Sequence, residues 1–318
     1  MKLVCSFLAL PKFRIDVADM MRSEGRAEHE IAKTLGISGI TRLSVEKERQ
    51  LTSFALDAVR AVQQHAETEL RDITGVIVVS QTYDQRIPAV STRIKELINA
   101  SPSAFCIDVM DGCSGFIKAV ALAAMMEASA AQRILIVAGD LNSSITHQSE
   151  LGTKILFGDG LGICVLETGG LSTDWIINNE GDTKSVISCS TSLGPLEMNG
   201  FEVFRFTRSK VTSMVTSFLK SKGLQKDDFD LVGLHQASRI VVETMVNNLG
   251  FSTRDLPSFT AGDYGNIGAG SIPGWLTGID SDKTLRPRRM LAVGFGAGLS
   301  WGLATLTVEM RSGGQLDV

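Results

Sequence analysis

The 318-residue sequence carries no long Lys/Arg run and no alternation of basic with aromatic residues, and its net charge is −4. Those absences exclude an electrostatic nucleic-acid footprint. No uninterrupted apolar stretch is long enough to span a bilayer. The five cysteines are odd in number, lack a C-x-x-C pair and are accompanied by only four scattered histidines. Disulfide stapling and structural zinc are therefore disfavoured, and no metal or cofactor is expected. The opening MKLVCSFLALPKF has no small-residue cleavage pattern after its apolar run. It reads as a first strand, Leu3 to Leu10, and a cytoplasmic location with reduced thiols is expected. Aromatics are few at 6%, whereas glycine reaches 31 residues. That balance suits closely packed α/β layers with tight turns better than an aromatic-rich β-sandwich.

What is present is an internal repetition. In the first half, GVIVVSQT (75–82) precedes a helical stretch from Cys113, then RILIVAGD (133–140) and GDGLGICVLE (158–167). The second half repeats that order with DFDLVGLHQAS (228–238), GSIPGWLTGI (270–279), RRMLAVGFGAG (288–298) and GLSWGLATLTVEM (298–310). Short β-branched runs beside helical patterns mark buried strands in a layered α/β fold. Apolar residues at helical spacing predict helices over 48–68, 113–128 and 239–249. Two similar halves, 1–168 and 169–318, are expected to pack about a pseudo-twofold axis.

Three positions stand out chemically. Cys113 follows a strand predicted to end near Val109, with Gly112 permitting a sharp turn and an apolar helix starting at the cysteine. A thiol at a helix N-terminus is expected to have a lowered pKa, although a free cysteine is as often a packing residue. His235 stands where the apolar run LVGL ends, the place where α/β folds gather reacting groups, although a lone His is more often a core residue. Asn266 lies in AGDYGNIGAGSIPGW, a glycine-rich loop that can aim an amide at developing charge or merely open a helix. GFGAGLSWG (294–302) lacks the full dinucleotide fingerprint. It is better used to point a backbone N–H at an oxyanion.

In order along the chain, DVMDGCSGF (108–116), FGDG (157–160), NGFEVF (199–204), HQAS (235–238), GNIGAGSIP (265–273) and GFGAGLSWG (294–302) resemble the β-ketoacyl-acyl-carrier-protein synthase III family of thiolase-like condensing enzymes. The resemblance implies a thiolase-like fold of two duplicated α/β halves in five αβαβα layers. It implies a catalytic set of Cys113, His235 and Asn266, with an oxyanion site at the backbone of Cys113, Gly296, Ala297 and Gly298. The implied reaction is acyl capture on Cys113, then decarboxylative condensation with a malonyl-type thioester to a β-ketoacyl product. Phe157, Phe204, Arg239 and Ile87 are the implied substrate-binding residues, Ile87 reaching across a homodimer interface. The implied partners are acyl-coenzyme A and acyl carrier protein.

Departures from the family pattern point to a specialised member. The stretch Glu28 to Ile37 has no tryptophan, Thr34 stands near an expected arginine, and Met110 and Asp111 replace small residues. Asn247 and Asn248 stand where lysines are common, and Arg239 is shifted by one place. Other readings of the same residues are acyl transfer from Cys113 to an oxygen or nitrogen nucleophile, a non-catalytic partner subunit, and a Cys-His-Asn hydrolase. The present nucleophile argues against the subunit, and the duplication argues against the hydrolase.

Overall fold

The computed structural model describes residues 1–318 apart from 128–131, 182–184, 192–193, 252–258 and 280–286. The apolar runs become nine strands of one sheet: β1 (Lys2–Leu10), β2 (Gly75–Ser80), β3 (Phe105–Met110), β4 (Arg133–Leu141), β5 (Asp159–Glu167), β6 (Trp175–Asn179), β7 (Leu231–Leu234), β8 (Arg288–Gly296) and β9 (Ser300–Asp317). Their order is β7-β8-β9-β1-β5-β4-β2-β3, with β6 also paired to β9. The long β9 joins two regions of this sheet. Ser300 to Val308 pairs antiparallel with β8, while Thr307 to Asp317 runs parallel to β1.

The same sequence of pairings occurs twice. β1 is antiparallel to β5, β5 to β4, and β4 parallel to β2. Likewise β6 is antiparallel to β9, β9 to β8, and β8 parallel to β7. The connection between β5 and β6 contains residue 168.

Helices cover the sheet because successive strand residues face opposite sides. Val76 and Val78 join an apolar cluster with α3 (Leu51–Ala66) and α4 (Val90–Leu97), whereas Ile77 and Val79 join the next cluster. That central cluster holds α5 (Gly115–Glu127) and α8 (Ser271–Leu276) between β4 on one side and β8 on the other. Leu291 and Val293 of β8 face outward onto α6 (Thr212–Lys222) and α7 (Arg239–Leu249). Five layers result, α3/α4, sheet, α5/α8, sheet and α6/α7. The start of the middle helical layer is shielded from water: Phe116 and Ile117 of α5 are fully buried. Each such side chain contributes about 1.5–3 kcal/mol of burial. A smaller subdomain, α1 (Val17–Ser23) and α2 (Glu28–Ser38), sits over the outer surface.

The predicted helices are found slightly trimmed, at 51–66 and 115–127, while 239–249 is helical throughout. Residue 128 of the expected second helix lies outside the described residues. GSIPGWLTGI is helical only over Ser271–Leu276.

Candidate active site

Cys113 lies between the end of β3 and the start of α5, where Gly115 N–H donates to Gly112 carbonyl at 2.8 Å. Close packing explains the local glycines. A Cβ on Gly112 would stand 2.6 Å from Gln81 Oε1, and one on Gly296 would stand 2.9 Å from Cys113 Cβ. Gly112 thus leaves room for the Gln81 amide, and its backbone is not left-handed. Gly296 brings the end of β8 directly against Cys113, and a Cβ on Gly294 would reach the Cys113 carbonyl oxygen at 3.2 Å.

His235 begins where β7 ends, its N–H donating to Val293 carbonyl at 2.9 Å, and it is 1% exposed. The pairing of β7 with β8 thus carries His235 to the same end of β8 that abuts Cys113. Phe295 packs edge-on against the imidazole, ring centroids 5.1 Å apart. Nδ1 lies 2.7 Å from Ser271 Oγ, which also accepts the Gln236 N–H at 3.3 Å.

Asn266 is clamped by its backbone. Its N–H donates to Leu156 carbonyl at 2.8 Å, and its carbonyl accepts from Gly158 N–H at 3.1 Å and Asn142 Nδ2 at 3.1 Å. Its Oδ1 accepts Gly268 N–H at 3.0 Å, which leaves the amide NH2 as the free donor face. The side chain lies near enough to the Cys113 thiol to favour its ionised form. Phe157 bridges to Asn266 and closes an apolar cluster with Ile145 and Leu196.

The expected lowering of the Cys113 thiol is reversed. Burial pushes it up to about 12, the Asp140 and Asp111 carboxylates add to the rise, and the Asn266 side chain opposes it. α5 starts two residues beyond the cysteine, and low-dielectric surroundings penalise a thiolate more than a helix end favours it. Burial likewise lowers His235 to about 3. The resting pair is neutral thiol and neutral imidazole.

Several residues near the site were given no role by the sequence motifs. Asp140 ends RILIVAGD and is fully buried. Its Oδ1 accepts from Ser80 Oγ and from Gln81 N–H, each at 2.7 Å, while Oδ2 has no partner among the described residues. Burial raises its carboxyl to about 6. A lone acid at the end of an apolar strand was the available signal. Asp159 of FGDG, raised to about 6 by burial, ties Ser143 N–H and Oγ to Glu46 N–H. Asp111 pairs with Lys118 and accepts from Ser114 Oγ at 3.0 Å, and Ser114 meets Ser300 at 2.9 Å.

The other expected residues are more dispersed. Arg239 heads α7 and lies over Gly39 at the end of α2. Phe204 joins the outer cluster with Phe206 and Trp301. Ile87 is 88% exposed. Thr34 and Ile37 line a surface cavity of about 370 Å³ with Leu156 and Ser238, neighbours of Phe157 and of the His235 loop. A second cavity of about 680 Å³ reaches Gln81 and Ala297 on the other side of the site. Among the described residues no group of three His, Cys, Asp or Glu side chains is arranged to hold a metal ion. No helix among them is long and apolar enough to cross a membrane.

Comparison with known proteins agrees with this geometry. Residues 107–183 match the family model described as 3-oxoacyl-[acyl-carrier-protein (ACP)] synthase III, and residues 219–308 match its C-terminal counterpart. The β-ketoacyl-[acyl-carrier-protein] synthase III of Dinoroseobacter shibae is 33% identical over 286 residues, covering 85% of this chain and 88% of the relative. That of Sphingopyxis alaskensis is 28% identical over 94% of this chain and 96% of the relative. Among solved structures, the β-ketoacyl-[acyl carrier protein] synthase III of Thermus thermophilus superposes with a TM-score of 0.86 at 26% identity, covering 96% of this chain and 99% of that one. A 3-oxoacyl-(acyl-carrier protein) synthase from Burkholderia xenovorans has the same TM-score at 23% identity, covering 99% and 97%, and supports the fold. With a half-buried thiol and a buried imidazole and carboxamide on a thiolase-like scaffold, this chain belongs to the β-ketoacyl-acyl-carrier-protein synthase III family.

Proposed function

We propose that this condensing enzyme works through Cys113, His235 and Asn266 as follows. The Cys113 sulfur attacks the carbonyl carbon of an acyl thioester, its proton passes to the leaving thiolate, and an acyl-Cys113 thioester and a free thiol result. A malonyl-type thioester then binds with its carbonyl oxygen facing His235 and the Asn266 NH2. Loss of carbon dioxide leaves an enolate whose negative oxygen those two donors stabilise. The enolate carbon attacks the acyl-Cys113 carbonyl, the C–S bond breaks, and a β-ketoacyl thioester leaves. Cys113 N–H and the backbone of Gly296 to Gly298 are assigned to the oxyanion of both acyl-transfer steps.

One observation carries this reading. Burial keeps the His235 imidazole neutral, the Asn266 carboxamide leaves its NH2 free to donate, and neither can neutralise an enolate by a full proton transfer at low cost. A thiol activated for hydrolysis would need the ion pair that burial disfavours here.

The two halves, 1–168 and 169–318, are read as duplicated units that share this site, the first supplying Cys113 and the second His235 and Asn266. Acyl-coenzyme A or acyl carrier protein is the proposed donor. The cavity beside α2 offers Thr34 and Ile37 rather than a tryptophan platform, and exposed Asn247 and Asn248 rather than lysines end α7. Coenzyme A and carrier-protein docking should therefore both be rearranged. A homodimer is proposed across β3, an edge strand ending in the 78%-exposed Met110 near exposed Ile87. The cytoplasm, where the five free thiols stay reduced, is the proposed location.

The test is intact mass after incubation with acyl thioesters, for the parent and Cys113→Ala. One acyl adduct, absent in the variant and discharged by malonyl thioester with release of carbon dioxide, is expected. Adducts that malonyl thioester does not discharge would overturn the condensation.

A further inference from the structure

The cavity of about 680 Å³ is of ligand size and lies beside edge strand β3. It touches the nucleophile's surroundings at two points. Gln81 lies over Gly112, one residue before Cys113, and Ala297 follows Gly296, which abuts the cysteine. Its walls are amphipathic. Met110, Ile145, Ile187 and Leu196 offer apolar surface, whereas Gln81 and Arg86 offer donors.

Within one protomer those donors are unspent, although Met110 and Arg86, which adjoins Ile87, lie where the homodimer interface is proposed. Among the described residues, neither the Arg86 guanidinium nor the Gln81 amide has a hydrogen-bond or ion-pair partner. Arg86 is also the sole cationic side chain on the described walls. The nearby acid does not compete for it. Both Asp108 oxygens accept backbone N–H groups at the start of α4, from Val90 at 2.7 Å and Ser91 at 2.9 Å. The Tyr83 hydroxyl is committed as well, donating to Val78 carbonyl at 3.0 Å. Gln81 is half-buried and Arg86 exposed, so an entirely alkyl chain would cover the Gln81 amide without replacing its hydrogen bonds and leave Arg86 unpaired.

We propose that this cavity receives the acyl chain of the donor, and that the preferred donor carries an ω-carboxyacyl group whose terminal carboxylate pairs with Arg86. The apolar walls pack its methylenes, and Gln81 faces the polar end near Cys113. A planar guanidinium matches a carboxylate in two parallel hydrogen bonds. This inference rests on Cys113 being the acyl acceptor. The group transfer is the one already described: the Cys113 sulfur takes the ω-carboxyacyl group, and the thiol proton goes to the departing thiolate.

The experiment compares glutaryl and pentanoyl thioesters of N-acetylcysteamine, which share one carrier and one chain length. The initial rate of acyl-Cys113 formation is read by intact mass for the parent, Arg86→Met and Arg86→Lys. The expected result is a glutaryl rate about tenfold above the pentanoyl rate, the scale of one partly exposed charge-assisted pair. That ratio should collapse toward one in Arg86→Met and recover in part in Arg86→Lys. A pentanoyl rate equal to or above the glutaryl rate, or a ratio unchanged in Arg86→Met, overturns the inference and leaves the acyl-Cys113 reading standing. Absence of an adduct from both thioesters removes the underlying reading, and the inference with it.

Discussion

Ser271 Oγ stands 2.7 Å from His235 Nδ1 and accepts the Gln236 N–H, an arrangement in which its hydroxyl proton can donate to Nδ1. Both residues are 1% exposed, and water does not offer a substitute. With Nδ1 accepting, the imidazole proton sits on Nε2, where it can donate to a thioester oxygen. Ser271→Ala frees the tautomer. Condensation in a single turnover should slow by about 10- to 100-fold, while acylation of Cys113 changes by less than about threefold. An equal loss in both steps would show that Ser271 serves only to start α8.

The acidities of the pair make a second expectation. With the thiol pushed up to about 12 and the imidazole down to about 3, both stay neutral between pH 6 and 9. Iodoacetamide labelling of Cys113 should accelerate about tenfold per pH unit across that window, because only the growing thiolate fraction reacts. A plateau beginning near neutral pH would reveal a thiolate–imidazolium pair instead.

Asp140 ties stability to pH. Its carboxyl rises from 3.8 to about 6 in the folded chain, so its favourable contribution is complete below about 4 and is lost as pH rises through 6. Asp140→Asn keeps the acceptor for Ser80 and Gln81 without the charge. Relative to the parent, the variant should gain about 1–3 kcal/mol between pH 4 and pH 8, read by urea denaturation. The Cys113 thiol should become more acidic as well, since Asp140 is one of the two carboxylates that raise it.

Gly158→Ala tests the clamp on Asn266. The new Cβ would fall 1.8 Å from Tyr264 carbonyl oxygen, a backbone atom that cannot rotate away. The N–H of Gly158 holds Asn266 carbonyl, so the collision spreads into the site. A loss of about 2–4 kcal/mol in unfolding free energy and a fall in condensation are expected together. Parent-like stability would show that the FGDG segment yields easily.

Met110→Asp places a charge on the exposed end of β3. Sedimentation velocity should show dimer for the parent and monomer for the variant. A dimer of unchanged strength would move the interface elsewhere.

Much of this was readable from residues alone. β-branched runs such as GVIVVS and RILIV had no other stable home than buried strands, and Cys113, His235 and Asn266 each sit at a strand end or loop that motif order singled out. The acidity of Cys113 was not readable, because it depends on burial and on Asp140, which is remote in sequence and brought close by the pairing of β4 with β2. The segment GSIPGW reads as the opening of a helix, and nothing in it shows that the Ser271 hydroxyl meets an imidazole from another strand. Phe204 illustrates a further limit. Its aromatic character marks it for burial, but only the path of the 200–206 helix assigns it to the outer cluster.

The parallel pairing of β1 with β9 has a consequence for how the protein is made. Lys2 is partnered with Thr307 and Leu10 with Asp317, so β1, in the middle of the sheet, waits for the far end of the sequence. While the ribosome is still reading the segment before β9, the nascent chain presents β1 with one row of amides and carbonyls unpaired. Contacts this distant along the chain slow folding and lengthen that exposure. A chaperone that shields strand edges during translation should therefore raise the yield of this protein more than one that acts only after release.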